Sequence, residues 1–377
     1  MKNIKIVAPL SSLSERTRLY KLTLFLHDTL GYKNIKHVGW ERIPGEREET
    51  RFDFEIEKKI ILKGGGYGTS KVKGLYFLWL IKTFFYCLKF GKKDIVWALG
   101  FESAFPAMMA SKIKGFKVVF DDADRFSMIF NFPSIIDKII RFLEKRTSRG
   151  VDFHVVPGAE RYDFESKKFY VLKNTPSESQ IEKAKEISKN LEKPANFVIN
   201  INGWLGAGRG MNEALQLVNK LDNDDIKILL IGKLDGEAAE TLAKHKNVLY
   251  KGKLSNAETL ANYFLSDLVL TYYDPKLEIN QYAESNKWGD AIKTGIGIIV
   301  NEEVKSAKFI KENKLGVIVP YNDIDALVKE IQGLFANPSK LSELKENAKK
   351  YSEIMPFYED QLIQLFKKIN NEKEEAR

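Results

Sequence analysis

The chain is poor in the residue types that build disulfides and transition-metal sites. Its 377 residues include one cysteine, Cys87, and four histidines, at positions 27, 37, 154 and 245. A single thiol excludes an internal disulfide and any metal site built on several thiolates. The histidines show neither metal-ligand spacing nor a Ser-His-Asp pattern. We therefore expect no metal site built on cysteine or histidine.

Long hydrophobic runs are also missing. The first residues, MKNIKIVAPL, lack the apolar core of a signal peptide and are typical of a first β-strand, which favours a cytoplasmic location. The most apolar segment, residues 74–93, is interrupted by Lys82 and Lys89 and is too short to cross a bilayer. Two interpretations stay open for it. It is a buried helix, or it is an interfacial helix with its rings in the acyl boundary and its lysines on anionic headgroups.

Acidic residues are outnumbered by basic ones. Lys and Arg number 60 against 51 Asp and Glu, which gives a formal net charge of +9. Such a surplus favours anionic partners, such as nucleic acid, an anionic membrane surface or a phosphorylated substrate. A generally lysine-rich proteome explains the surplus equally well. Because no nucleic-acid-binding motif is present, we expect no nucleic-acid partner.

What the chain does contain is a regular alternation of apolar runs and helical patterns. In the first half the predicted strands are 4–10, 35–40, 94–99, 117–124 and 152–158. In the second half they are 197–202, 226–232, 247–252, 267–273, 296–300 and 315–320. This alternation predicts an α/β fold with parallel sheets and helices on both faces.

A polar and charged stretch separates the two halves. We therefore predict two Rossmann-like, doubly wound domains, residues 1–175 and 196–354, joined by a linker over 176–195. Open parallel sheets place their ligand sites at the carboxyl ends of the strands. With two such domains, the expected site is a central cleft that both domains face.

The segment NGWLGAGRG, residues 202–210, follows a predicted strand and opens a predicted helix. Glycines such as Gly206 let backbone amides approach a phosphate, while the helix N-terminus and Arg209 supply positive charge. A plain glycine-rich turn is the alternative, since the segment is neither a Walker A loop nor a G-x-G-x-x-G motif. Lys233 follows the next strand of this half. It is a second candidate for the same anion, or a solvated loop lysine.

The segment ESNKWGD, residues 284–290, lies between two predicted strands. A helix beginning near Asn286 would direct the amides of Ser285, Asn286 and Lys287 at a phosphate. Asp290, one turn into this helix, is placed to accept hydrogen bonds from the cis-diol of a ribose. The alternative for Asp290 is a solvated helical acid.

Taken together, these segments resemble the nucleotide-sugar half of GT-B glycosyltransferases, in particular glycosyltransferase family 4. The resemblance covers residues 197–335 and rests on the order and spacing of NGWLGAGRG, LLIGK, VLYKGKLS, ESNKWGDAIKTGIGIIV and LGVIVP. It implies the GT-B fold, in which the last segment, 355–377, forms a helix that crosses back to the first domain. It also implies a nucleoside diphosphate sugar as donor, transfer with retention of configuration, and chemistry that needs no metal.

In the resembled family the donor site has two acids separated by seven residues. Asp290 matches the second acid, which binds the ribose, but the first falls at Tyr282, and Glu284 is the candidate catalytic replacement. The family also has a basic residue on the diphosphate at each end of the glycine-rich loop. Arg209 matches the second of these, and Trp204 stands at the position of the first.

The first domain offers candidates for the acceptor side. The segment VVFDDADRF, residues 118–126, ends a predicted strand with Asp121 and Asp122. The resemblance implies that this strand end faces the acceptor, so we assign Asp122 a catalytic role and Asp121 an acceptor contact. Arg16, after the first strand, is a further acceptor contact. An alternative is that Asp122 and Asp124 form the metal-binding Asp-x-Asp pair of GT-A glycosyltransferases.

The resemblance implies a retaining hexosyltransferase acting on a glycan or lipid-linked acceptor in the synthesis of cell-surface polysaccharide, lipopolysaccharide or glycolipid. The expected location is the cytoplasm, with peripheral contact at the inner face of an anionic plasma membrane. Two alternatives stay open, the second of them because Tyr282 replaces an acid. One is a nucleotide-sugar hydrolase or epimerase of the same fold, and the other is a catalytically inactive scaffold or partner subunit.

Overall fold

The structure is a computed structural model that describes residues 3–43, 45, 52–66, 70–130 and 132–371. The chain divides into two compact units. The first consists of Met1–Lys173 with Gln364–Arg377, and the second of Asn174–Ile363. Each unit is built on one parallel sheet.

The first unit contains a 7-stranded parallel sheet in the order β3-β2-β1-β4-β5-β6-β7. Its strands are β1 Ile4–Ala8, β2 Ile35–Glu41, β3 Glu57–Lys63, β4 Ile95–Leu99, β5 Lys117–Asp121, β6 Phe153–Val156 and β7 Phe169–Val171. The order reverses between β1 and β4. This reversal opens a crevice at the carboxyl ends of the strands, where doubly wound sheets bind ligands.

The helices of the first unit are α1 Thr17–Leu24, α2 Ser70–Cys87, α3 Phe101–Lys114, α4 Phe126–Ile129 and α5 Ser134–Gly150. Helix α3 packs between α2 and α5, and their inner side chains share one apolar core with β4 and β5. Trp79 of α2, Ala107 of α3 and Val118 of β5 are fully buried or nearly so in this core. The three helices therefore cover one face of the sheet.

The second unit contains a 6-stranded parallel sheet in the order β10-β9-β8-β11-β12-β13. Its strands are β8 Phe197–Leu205, β9 Ile226–Leu234, β10 Val248–Tyr250, β11 Leu268–Thr271, β12 Gly297–Asn301 and β13 Gly316–Val319. The order reverses between β8 and β11. The predicted α/β class with two doubly wound parallel sheets is thus confirmed.

Helices cover both faces of the second sheet. They are α6 Glu178–Ser188, α7 Met211–Leu221, α8 Glu237–Leu242, α9 Asn256–Tyr263, α10 Glu278–Gln281, α11 Asn286–Thr294, α12 Lys308–Glu312, α13 Ile324–Ala336 and α14 Pro338–Ile354. One core lies under α7 and α13, and a second lies under α11 and includes Trp288. None of the helices that the structure describes is long and apolar enough to span a membrane.

The predicted linker, 176–195, is largely a helix. Within it, α6 packs against α9 through Ala184 and Leu260, and Gln180 accepts a hydrogen bond from the Asn256 side chain at 2.7 Å. The stretch therefore belongs to the second unit. Its polar sequence misled the prediction because only a narrow apolar stripe is needed for a helix to pack on one neighbour.

The last helix, α15 Tyr358–Asn371, begins in the second unit, and its residues from Gln364 belong to the first. Phe366 stacks on Trp97 of β4 with ring centroids 6.2 Å apart. The Lys117 ammonium donates to the Ile369 carbonyl at 2.9 Å. These contacts bind the end of the chain to the first sheet.

Candidate functional site

The carboxyl end of β8 continues beyond the body of the sheet as a ribbon with β9. Gly203 pairs with Gly232, and Trp204 pairs with Lys233. Gly232 has φ +139, and a Cβ there would lie 1.8 Å from the Gly203 carbonyl oxygen. Glycine is therefore required at this position, because the two strands approach too closely for any side chain. The ribbon holds the start of the glycine-rich loop at the carboxyl edge of the sheet.

The rest of the glycine-rich loop is a single 3-10 turn, Ala207–Arg209, followed by Gly210 at φ +73 and then by α7. The side-chain amide of Asn280 donates to the Gly208 carbonyl at 3.2 Å, and the Asp274 amide does so at 3.3 Å. The turn is therefore anchored from the segment that follows β11. This segment lies across the point where the strand order reverses.

Arg209 lies against the aromatic ring of Tyr273. Its guanidinium carbon is 4.7 Å from the ring centroid, and Tyr273 is buried directly after β11. The Tyr273 hydroxyl donates to Ser285 Oγ at 2.6 Å. Stacking fixes the plane of a guanidinium and leaves the N–H groups at its edges for hydrogen bonds. Tyr273 thus connects the glycine-rich turn with the start of α11.

The side chain of Ser285 has a structural role at the start of α11. It is the N-cap of α11, its side chain is buried, and its oxygen also accepts from the Lys287 amide at 3.3 Å. The Ser285 hydroxyl and the Lys287 amide therefore serve the helix itself. The phosphate contact of the Ser285 backbone amide stays a prediction. Asn286 is exposed at the first position of α11, and its phosphate contact stays a prediction.

The side chain of Lys287 reaches back to the glycine-rich loop. Its ammonium nitrogen is 3.5 Å from the position that a Cβ on Gly203 would occupy. Lys287 therefore brings a full positive charge to the end of β8, and Arg209 brings another to the turn that follows. Together with the start of α11, these cations make this edge of the second sheet suited to an anion.

Asp290 lies one turn into α11 and is half-buried. Burial raises the pKa of Tyr263 well above its usual range, and the nearby charge of Asp290 raises it further. The Tyr263 hydroxyl accepts from the Asn202 side chain at 2.8 Å. A Cβ on Gly289 would lie 2.6 Å from the Asn174 carbonyl, so α11 packs closely on that backbone. Asp290 is therefore held on a firmly placed helix beside β8.

Tyr282 and Glu284, which precede α11, have partners of their own. The Tyr282 hydroxyl accepts from the Lys305 ammonium at 2.7 Å, and the same ammonium lies 4.3 Å from the ring centroid. Glu284 is half-buried, and its backbone carbonyl accepts from the Asn174 side chain at 2.8 Å. A phenol thus occupies the place where the sequence resemblance expects an acid.

Lys233 and Trp204 form a cross-strand pair on the ribbon. Lys233 is exposed, as its phosphate-binding prediction requires. Trp204 is 52% exposed, and its indole donates to Asp235 at 2.7 Å. A Cβ on Gly206 would lie 2.6 Å from the Trp204 ring, so Gly206 allows the turn to pass close to this indole.

In the first unit, Asp121 at the end of β5 is fully buried. Its Oδ1 accepts from Arg18 Nε at 2.7 Å, and its Oδ2 accepts from the Trp97 indole at 3.0 Å. This arrangement corrects the prediction of an acceptor contact, because both oxygens are committed to internal partners. Asp121 instead ties α1 to strands β4 and β5.

Asp122 is also fully buried, but only one of its oxygens is occupied. Oδ2 accepts from the Tyr162 hydroxyl and lies 3.5 Å from His154 Nε2. Oδ1 has no hydrogen-bond partner within the described part of the chain. Burial lowers the pKa of His154, which favours the neutral ring, although Asp122 opposes the shift. Asp122 therefore keeps an acceptor atom for a further donor.

Arg16 is exposed and lies 3.8 Å from Asp124, whose side chain is also exposed. Asp122 and Asp124 thus have different surroundings, one inside the unit and one at its surface. Within the described ranges, no group of three or more His, Cys, Asp or Glu side chains is arranged to hold a metal ion.

Residues 207–356 match the family described as glucosyltransferase 3-like, C-terminal domain. No curated protein sequence matches the chain. Sucrose-phosphate synthase from Thermosynechococcus elongatus is similar in structure, with a TM-score of 0.73 at 12% identity and 100% of both chains covered. Anabaena HepE in complex with UDP has a TM-score of 0.68 at 12% identity, covering 98% of this chain and 100% of its own.

A third similar structure is the UDP-forming trehalose-phosphate synthase of Burkholderia xenovorans in complex with glucose-6-phosphate. Its TM-score is 0.66 at 10% identity, with 97% of this chain and 100% of its own covered. The chain has the GT-B fold. Residues 207–356, which match the glucosyltransferase 3-like C-terminal domain, lie in its second unit. The GT-A alternative for Asp122 and Asp124 is therefore wrong.

The sequence analysis did not single out Glu102, which lies in the first unit. Glu102 opens α3 directly after β4, is half-buried, and folds back towards Gly100. Burial raises the pKa of its carboxyl to about 7, and the charge of Asp122 adds to the rise. The charges of Arg42 and Arg16 oppose it. The sequence did offer one signal for this residue, because Glu102 is an acid that closely follows a predicted strand. That strand, β4, lies where the strand order reverses.

We predict that the Glu102 carboxyl makes stability depend on pH. Its folded pKa of about 7 lies above the ordinary value of 4.5. The folded state therefore holds the proton more tightly, and the contribution to stability is lost as the pH rises from about 4.5 to about 7. We expect urea unfolding to show a loss of on the order of 2–3 kcal/mol across this window.

The matched variant is Glu102→Gln, which keeps the shape and cannot titrate. Its free energy of unfolding should stay nearly constant over the same window, apart from the contributions of other groups shared with the wild type. A wild type and a variant with parallel pH profiles would contradict the assignment of this shift to Glu102.

Proposed function

We propose that this protein is a retaining hexosyltransferase that takes its sugar from a nucleoside diphosphate donor. The observation that carries the proposal is the convergence of Arg209, Lys287 and the start of α11 on the end of β8 in the second unit. The match of residues 207–356 to a glucosyltransferase 3-like domain supports it. UDP is the first donor nucleotide to test, because the structurally similar HepE was solved with UDP.

The proposed chemistry uses charge at the leaving group. As the bond between the sugar and the diphosphate breaks, negative charge develops on the diphosphate oxygens. Arg209 and Lys287 stabilise that charge, with Lys233 at the outer side of the ribbon. Asp290 holds the ribose hydroxyls. The acceptor hydroxyl attacks from the face that the diphosphate leaves and passes its proton to the departing phosphate oxygen.

The other groups take supporting roles in this proposal. Asp122, through its unoccupied Oδ1, orients an acceptor hydroxyl, and Arg16 offers a cation at the surface of the same unit. Glu284 is the candidate for the role of the missing first acid. The cations of the second unit take the place of a metal ion, so transfer needs no metal or other cofactor.

The acceptor we propose is a glycan or a lipid-linked glycan. The product would then enter a cell-surface polysaccharide, lipopolysaccharide or glycolipid. The corresponding location is the cytoplasm, with contact at the inner face of the plasma membrane.

A thermal-shift series tests the donor site. The protein is heated with UDP, GDP, ADP, CMP and their sugars, each with and without Mn²⁺, as wild type and as Asp290→Ala. We expect one nucleotide to raise the melting temperature by roughly 2–4 °C at saturating concentration, without Mn²⁺, because only the folded state binds it. The rise should be lost in Asp290→Ala.

The matched control is Asp325→Ala, which removes an exposed helical acid elsewhere in the second unit. It should keep the full nucleotide response. If no nucleotide shifts the wild type at millimolar concentration, the donor site is refuted and an inactive scaffold becomes the better account.

A second candidate function uses the same donor site but needs no acceptor. A nucleotide-sugar hydrolase or epimerase would consume or convert the donor with no acceptor present. Product analysis of such a mixture separates the two functions. Turnover of the donor alone at the rate seen with acceptor would contradict transfer.

A further inference from the structure

Helix α2 of the first unit carries large apolar side chains on its outer face. Phe77 is 67% exposed and Phe85 is 62% exposed, and Leu78 and Ile81 lie between them on the same side of the helix. The opposite side, with Trp79 and Cys87, is buried in the core. The helix therefore carries large apolar side chains on its exposed side as well as on its buried side.

Helix α5 also has exposed large apolar side chains, arranged in a stripe along the helix. Ile135, Ile139 and Phe142 recur at helical spacing and are exposed, with Ile135 at 75%. The same stripe continues with Arg146 and Arg149, which are also exposed. This stripe is therefore apolar over its first half and cationic over its second.

Helix α3 joins these two faces, because it packs between α2 and α5. Its exposed residues lie near its carboxyl end, where Met109 and Ile113 stand beside Lys112 and Lys114. We call the outer sides of α2, α3 and α5 the apolar-basic face. Ten of the 20 exposed large apolar side chains of the described chain lie on these three helices. Concentration of this kind marks an interaction surface.

The charge of the apolar-basic face has one sign. Among the side chains that the structure describes on these three helices, every exposed ionisable one is a cation: Lys82, Lys112, Lys114, Lys138, Arg146 and Arg149. The three acids of the same helices are half-buried or buried. Asp137 pairs with Arg141 at 2.8 Å, Glu144 is buried against Arg125, and Glu102 is half-buried.

We propose that the apolar-basic face of the first unit docks on the surface of an anionic lipid bilayer. Apolar side chains enter the boundary between headgroups and acyl chains, while lysines and arginines meet anionic headgroups. A second copy of the chain is the poorer occupant, because a symmetric contact would place cations against cations. None of the helices described is suited to span the bilayer, so the contact lies on its surface.

This proposal widens the sequence-based expectation, which concerned residues 74–93 alone. Residues of α3 and α5 are joined to α2 only in the folded unit. The proposal does not rest on sugar transfer, because the donor-site residues lie in the second unit.

Vesicle flotation of the full chain tests the proposal. One set of vesicles contains phosphatidylcholine alone, and the other an equal mixture of phosphatidylcholine and phosphatidylglycerol. We expect wild type to float with the mixed vesicles and not with phosphatidylcholine, and raised salt to weaken the binding. Phe77→Ser/Phe85→Ser and Arg146→Glu/Arg149→Glu should each weaken partitioning by at least about 10-fold.

Matched controls come from the second unit. Ile354→Ser replaces an apolar side chain that is 76% exposed, and Lys311→Glu/Lys329→Glu changes the net charge as much as the double arginine variant does. Both should bind vesicles within about 2-fold of wild type. All variants should keep the thermal response to the donor nucleotide, which shows that they are folded and separates this proposal from the proposed function.

Two results would overturn the proposal. The first is equal flotation of wild type and both double variants with the mixed vesicles. The second is the absence of wild-type flotation. If wild type then also forms an oligomer by light scattering, and Phe77→Ser/Phe85→Ser is a monomer, a second copy covers the face.

Discussion

Arg209→Ala is expected to lower the rate of sugar transfer by about 100-fold to 1,000-fold, the usual cost of removing one preorganised group that stabilises developing charge. Arg209 is the cation of the glycine-rich turn, and the Tyr273 ring fixes its plane. Because the diphosphate gains charge as the bond breaks, the loss should appear mainly in kcat and less in KM. Initial rates with the donor found by thermal shift measure both constants.

Two further variants refine this prediction. Arg209→Lys keeps the charge and loses the planar fork, so it should recover part of the rate. Tyr273→Phe keeps the ring under Arg209 and removes the hydroxyl that bonds Ser285, so it should cost much less than Arg209→Ala. A transfer rate that stays within 3-fold of wild type in Arg209→Ala, roughly the effect of a peripheral substitution, would remove Arg209 from the diphosphate site.

Asp121→Ala is expected to lower the free energy of unfolding by about 3–5 kcal/mol, because it leaves the buried Arg18 without its carboxylate. The Trp97 indole loses its acceptor in the same change. The measurement is urea or thermal unfolding, followed through the transition in which the first unit unfolds. Asp124→Ala, which removes an exposed acid of the same loop, is the control and should cost at most about 1 kcal/mol.

The double variant Arg18→Met/Asp121→Leu tells a structural pair from an acceptor contact. It replaces both charges with apolar side chains of similar length, and such replacements often restore most of the stability. We expect it to be more stable than Asp121→Ala and to keep its KM for acceptor. A selective rise of the acceptor KM in a variant of wild-type stability would contradict the internal role of Asp121.

The class of the fold was readable because most strands are buried and apolar on both faces, as parallel sheets require. The predicted strands correspond in position to all but two of the strands in the structure. The first exception, β3, has the sequence EKKIILK, and it is an edge strand that is mostly exposed. The second, β7, is also an edge strand and has 3 residues. Edge strands need little apolar sequence, so their pattern is weak.

The candidate site was predictable to a similar extent. Gly206, Arg209, Lys287 and Asp290 follow strand ends in the second half, and strand ends of a parallel sheet meet at one edge. Their positions along the chain therefore sufficed to group them. No pattern along the chain indicated that Tyr273 would lie under Arg209, since an aromatic residue after an apolar strand is ordinary core sequence.

By itself, the sequence determined the α/β class, the two doubly wound sheets and the edge of the second sheet where cations gather. These follow from the period of apolar residues and from glycines at strand ends, which are local properties. Only the tertiary structure decided that Asp121 pairs with Arg18, that Ser285 caps α11, and that three helices share one apolar-basic face. Those outcomes depend on which side chains distant parts of the chain bring together, and burial and hydrogen-bond partners are set only at that stage.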